Sequence, residues 1–170
     1  MNEKNTKHIL SIMVDNEPGV LARVVGLFSG RGYNIESLSV SEVDSHKFLS
    51  RITIVTSGTK LIIDQIKAQL KKLIPVHNLE EISELKKFIG KELILIKLNV
   101  SKKSNIDIKR KLEKFGGEVL FDEGVELIIQ FAGTPDEITK LLNLLKSYKI
   151  IEQTRSGLVS MALGLDYIRK

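Results

Sequence analysis

Cysteine is absent from the 170 residues, which excludes disulfides, thiolate catalysis and thiolate metal sites. The three histidines, His8, His46 and His77, stand far apart without ligand spacing, so a zinc enzyme is not expected. Aromatic residues make up only 5% of the chain, too few for a base-stacking platform to be the default. No apolar run reaches the roughly 18 residues of a bilayer span, and Met1–Lys7 lacks the apolar core of a signal peptide. A cytoplasmic chain with no membrane contact is the expectation. No P-loop, dinucleotide glycine fingerprint or His-Glu-x-x-His occurs.

The net charge is +5 with a pI near 9.3, which raises the question of nucleic acid. Its distribution argues against one. Residues 1–80 carry 10 Lys+Arg against 8 Asp+Glu, residues 81–170 carry 16 against 13, and neither half forms a basic arm. Lys71-Lys72, Lys86-Lys87, Lys102-Lys103 and Lys109-Arg110-Lys111 interleave with acids on helix faces or in loops. An RNA-binding strand would need alternating aromatics, and Lys47–Ile54 has only Phe48. The paired acids Glu80-Glu81, Asp122-Glu123 and Asp136-Glu137 read as caps and turns, since adjacent side chains diverge.

A chain 42% hydrophobic and 28% charged is an ordinary globular one, long enough for one medium domain or two small ones. Ile9–Val14 has strand length, and Val20, Val24, Leu27 and Phe28 recur at helical spacing. Ser29-Gly30-Arg31-Gly32 reads as a helix stop. Tyr33–Val43 and Phe48–Thr56 read as a hairpin across Asp44–Lys47. Gly58-Thr59 breaks the sheet, Ile62, Ile66, Leu70 and Leu73 mark a second helix that ends at Pro75, and Val76–Ile82 supplies a fourth strand.

The second half repeats this order. Leu93–Val100 is a strand, and Ser104-Asn105-Ile106-Asp107 reads as a capping box for a helix bearing Ile108, Leu112 and Phe115. Glu118–Phe121 and Val125–Phe131 flank a turn, Thr134-Pro135-Asp136-Glu137 caps a last helix, and Ile150–Leu163 holds a strand interrupted near Arg155-Ser156-Gly157. The fold class expected is α+β, two ferredoxin-like βαββαβ units. The domains expected are 1–82 and 92–170, joined by a polar linker at 83–91. Units this small gain from further burial, so self-association is expected.

The stretch Asp15-Asn16-Glu17-Pro18-Gly19-Val20-Leu21 joins the first strand to the first helix. Pro18 suits a first helical turn, and Gly19 lets a ligand lie against the backbone. The first amides of a helix lack internal partners and sit at the positive end of its dipole, so a carboxylate fits there. Asn16 and Asn34 offer amides to an ammonium. Together these suit a small amino acid whose apolar side chain faces strand residues near Ile35. The plain alternative is that Pro-Gly is only a turn and Asn34 only a polar residue in a bend.

The run from Ile9 through Asn16-Glu17-Pro18-Gly19-Val20-Leu21-Ala22-Arg23-Val24-Val25-Gly26-Leu27-Phe28, then Arg31-Gly32-Tyr33-Asn34-Ile35-Glu36-Ser37-Leu38, closely resembles the ACT domain of the small, regulatory subunit of acetohydroxyacid synthase, also called acetolactate synthase. The resemblance includes Leu49-Ser50-Arg51-Ile52-Thr53-Ile54 and the surroundings of Arg155-Ser156-Gly157, and so spans essentially the whole chain. It implies that the N-terminal unit is an ACT domain in a subunit with no active site and no cofactor of its own. Such a subunit binds and activates a thiamine-diphosphate-dependent catalytic subunit, in which Mg and FAD are also expected. It transmits feedback inhibition by valine or another branched-chain amino acid. By the same resemblance ACT domains pair as a homodimer, and Asn16, Gly19, Val20, Leu21 and Ala22 of one chain face Asn34 and Ile35 of the other. Proline before Gly19, and alanine at position 22 where other members can carry serine, are departures that bear on effector affinity. The competing expectations are a stand-alone ACT-type sensor for another enzyme and, more distantly, a nucleic-acid-binding ferredoxin-like protein.

Overall fold

The computed structural model describes residues 5–85 and 87–164. Lys86, Met1–Lys4 and residues 165–170, which the sequence reading assigned to the linker and the two domains, lie outside the described residues. Two compact units result. The first holds the described residues up to Gly90 and from Leu158 onward, and the second holds Lys91–Gly157.

In the first unit the order is β1 (Thr6–Asp15), α1 (Val20–Ser29), β2 (Ser37–Asp44), β3 (Leu49–Gly58), α2 (Lys60–Leu70) and β4 (Val76–Glu81). The sheet runs β2-β3-β1-β4, with every neighbouring pair antiparallel. This is the βαββαβ order with its first and third strands central. Period-two alternation turns Leu10, Ile12 and Val14 of β1, and Ile52 and Ile54 of β3, towards Val20, Val24 and Phe28 of α1 and Ile63, Ile66 and Leu70 of α2. Each such side chain contributes roughly 1.5–3 kcal/mol on burial.

The second unit repeats the plan with β5 (Phe88–Asn99), α3 (Lys102–Phe115), β6 (Glu118–Asp122), β7 (Glu126–Gly133), α4 (Pro135–Leu145) and β8 (Lys149–Arg155), its sheet running β6-β7-β5-β8. Ile94, Ile96 and Leu98 of β5 face Ile108 and Leu112 of α3 and Ile138, Leu141 and Leu145 of α4. Thr134-Pro135-Asp136-Glu137 caps α4 as the sequence indicates, and Thr134 and Glu137 there form a capping box, each side chain reaching the other's backbone N–H.

Several boundaries differ from expectation. α3 opens one turn earlier than Ser104. Ser101 is its cap and accepts from the Ser104 N–H, because Ser101 keeps an extended backbone while Lys102 and Lys103 already follow the helix. β2 starts at Ser37 and not at Tyr33, since Gly32 at φ 70° and the Tyr33 N–H to the Phe28 carbonyl keep the chain winding out of α1. Residues 83–91, read as a linker, hold most of a 3-10 turn (Ile82–Glu84) and the start of β5. Near the end, β9 (Val159–Ala162) pairs with β5, whose residues up to Gly90 belong to the first unit. That return is fastened by the Ser39 hydroxyl donating to the Leu158 carbonyl at 2.7 Å and by the Leu158 N–H donating to Ser37 Oγ at 3.1 Å. No helix is long and apolar enough to cross a membrane among the described residues.

Candidate functional site

β1 ends at Asp15, whose N–H donates to the Pro75 carbonyl at 2.9 Å and whose carboxylate lies 2.5 Å from His77 Nε2. The next N–H, of Asn16, donates to the Phe48 carbonyl at 2.6 Å. Two strands and a hairpin turn therefore hold the start of the loop.

Pro18 does not enter the helix. Gly19 is the cap residue, with φ 84° and ψ −8°, and α1 begins at Val20. Proline followed by a glycine at these angles is a type II turn, and the Val20 N–H closes it on the Glu17 carbonyl at 3.3 Å. The left-handed conformation that glycine accepts is what separates Pro18 from the helical path.

The turn uses up the Val20 amide, so the donors left at this helix start are others. The first helical bond runs from Arg23 N–H to the Gly19 carbonyl at 3.0 Å. Among the described residues no protein acceptor meets the N–H of Gly19, Leu21 or Ala22, and no side chain caps the helix. All three residues are exposed, and a Cβ on Gly19 would meet nothing within 4 Å. Unpaired amides at the positive end of a helix are suited to a carboxylate. Val20 is buried and belongs to the core, so its side chain does not reach the surface.

Asn34 and Ile35 follow the other end of α1. Asn34 is exposed, and its carbonyl accepts from Thr56 Oγ1 at 2.6 Å, pinning the bend to β3. Ile35 is half-buried against the core. Glu36 beside them is held below the usual carboxylate range by hydrogen bonds from the Ser57 hydroxyl and from Lys7. Ten helical residues at about 1.5 Å each put roughly 15 Å between Gly19 and this bend. The structure thus brings Asn16, Gly19, Leu21 and Ala22 to one end of the unit and Asn34 and Ile35 to the other.

Sequence reasoning missed three groups that shape these ends: Phe48, Thr56 and the Asp15–His77 pair. Their pairing across 62 positions or fewer is set by strand register, which no local motif encodes. It also missed a buried ionic cluster. Glu81, on the helix-facing side of β4, meets His8 Nδ1 at 2.5 Å and Lys67 Nζ at 2.6 Å, and Lys67 also meets Asp64 at 2.9 Å. Burial pushes the Lys67 ammonium down in pKa, and its bonds to Glu81 and Asp64 outweigh this and raise it. An acid at an inward position of a strand was the available signal.

Residues 10–78 match the family model described as the AHAS small subunit-like ACT domain, and residues 91–164 match that of the small subunit of acetolactate synthase. The chain is 39% identical over 164 residues to the acetolactate synthase isozyme 3 small subunit of Salmonella typhimurium, covering 96% of this chain and 99% of that one. It is 36% identical over 158 residues to a probable acetolactate synthase small subunit of Archaeoglobus fulgidus, covering 93% and 98%. The crystal structure of the Thermotoga maritima acetolactate synthase small subunit superposes with a TM-score of 0.86 at 31% identity, covering 94% of this chain and 98% of that one. Two matching family models, full-length relatives and one shared fold place this chain in the family of acetolactate synthase small subunits, the regulatory subunits with an N-terminal ACT domain.

Proposed function

We propose that this chain binds the catalytic subunit of acetolactate synthase, raises its activity and relays inhibition by valine or a related branched-chain amino acid. The first unit binds the effector and forms a homodimer, with the effector carboxylate on the amides of Gly19, Leu21 and Ala22 and its ammonium on the side chains of Asn16 and Asn34. Thiamine diphosphate, Mg and FAD belong to the catalytic partner, and this chain supplies none of the reacting groups. Both act in the cytoplasm.

The observation that carries this reading is the separation of the two ends of α1. A single small amino acid cannot span roughly 15 Å, so one chain alone cannot use both halves. Among the described residues β2 pairs with β3 only and so forms an edge of its sheet, and an unpaired edge recruits another strand. Antiparallel pairing of β2 with β2 of a second copy carries Asn34 and Ile35 of one chain to the loop Asn16–Ala22 of the other. Two identical sites then follow from the two-fold symmetry.

Mixing the chain with an acetolactate synthase catalytic subunit and measuring acetolactate formation tests the reading. The rate rises on adding the chain and falls again with valine. A rate unchanged by the chain, with or without valine, rejects it.

A further inference from the structure

Among the described residues Phe48 is the one residue other than glycine with a positive φ, 49°. It closes the turn that joins β2 to β3, in which the Lys47 N–H donates to Asp44 Oδ1 at 3.0 Å. A bulky L residue is strained there, because its Cβ crowds the following carbonyl. Burial of the ring does not offset the strain, since Phe48 is 67% exposed. What the conformation accomplishes is to aim the Phe48 carbonyl at the Asn16 N–H, 2.6 Å away. This is the rung beyond Asp15–Leu49, the last register pair of β1 and β3.

We infer that Phe48 is a positioning residue, a strained latch that holds Asn16, and through it the loop Asn16–Ala22, in the arrangement that receives the effector. The inference rests on the effector reading above. When Phe48 relaxes towards extended backbone its carbonyl turns away and Asn16 is released, so the rung opens more readily than its neighbours in the ladder. An effector that binds only the latched loop favours the latched state, by the difference in its affinity for the two. Glycine at position 48 removes the Cβ crowding, asparagine tolerates the left-handed region, and β-branched valine resists it.

The test compares the wild-type chain with Phe48→Gly, Phe48→Asn and Phe48→Val by two readouts, amide hydrogen exchange at Asn16 without ligand and calorimetric titration with valine. Exchange at Asn16 slows about 5-fold or more in Phe48→Gly, slows in Phe48→Asn and quickens in Phe48→Val, and valine affinity follows the same order. If Phe48→Val does not fold, the glycine and asparagine variants against wild type still decide. Equal exchange at Asn16 in all folded variants overturns the latch. Valine affinity lost alike in the glycine and valine variants also overturns it and makes the ring itself the contact. A wild-type chain that binds none of valine, leucine and isoleucine overturns the effector reading instead, while the exchange series still decides whether Phe48 holds Asn16.

Discussion

Gly19 and Asn34 flank opposite ends of one ten-residue helix, which sets them roughly 15 Å apart. Both carry features of an amino-acid site. Gly19 exposes backbone amides, and Asn34 presents an amide side chain from a bend that Thr56 pins. A regulatory site built from both must be shared between two copies, and occupancy is then tied to how the copies pair.

Gly19→Asp places a carboxylate among the free amides of Leu21 and Ala22. Nothing within 4 Å obstructs the new Cβ, and aspartate is among the residues that tolerate a positive φ. The fold is retained, while branched-chain amino acid affinity falls roughly 10- to 100-fold, the worth of one charge-assisted hydrogen bond. Calorimetric titration at unchanged affinity would reject the assignment.

Lys67→Met leaves the Glu81 carboxylate, with its side chain 3% exposed, to His8 and the Ser83 hydroxyl among the described residues. Removing one partner of a buried pair costs more than removing both, so the single change destabilises the chain by about 3 kcal/mol and adding Glu81→Leu recovers much of that. Urea midpoints of the two variants decide, and a single variant within about 0.5 kcal/mol of wild type would show that the cluster is solvated.

Acid loosens the second unit through carboxyls that include Glu137 and Asp122. Thr134 backbone and the Lys91 ammonium hold Glu137 at about 2, from an ordinary 4.5. Lys109, the Gly124 N–H and Asn105 hold Asp122 at about 2, from 3.8. Both are lower in the folded chain than in the unfolded one, so their contribution is complete above pH 4.5 and is lost as pH falls towards 2. Glu137→Gln and Asp122→Asn variants have a flatter stability profile across that window, measured by urea unfolding. Profiles parallel to wild type would contradict this.

Much of this architecture is written in local pattern. Apolar stretches of strand length at Ile9–Val14 and Leu93–Val100, helical spacing in Val20–Phe28, and the Thr134–Glu137 cap sufficed for two βαββαβ units, because each signal lies within one element. The pieces that escaped depend on residues far apart. Ser37 and Ser39 lie on a strand with neither face uniformly apolar, and no local signal says that Leu158, about 120 residues later, bonds to them. Phe48 offers no glycine or asparagine to announce a left-handed turn, and Pro18 suits a first helical turn as well as the type II turn that it occupies. At the candidate site the Pro18-Gly19 turn and the bend at Asn34 were legible as local signals and the distance between them was not, since Asn16 and Asn34 are separated by a helix whose length only the fold converts into ångströms.

Mixing Gly19→Asp chains with Asn34→Ala chains examines the shared site itself. Each variant alone loses valine binding at both sites of its homodimer. In a mixed dimer one site carries both changes and the other carries neither, so random exchange of equal amounts restores tight binding at about a quarter of all sites. Recovery of that fraction by titration is the outcome expected here. No recovery, in a mixture shown by mass spectrometry to contain the mixed dimer, would contradict a site divided between two chains.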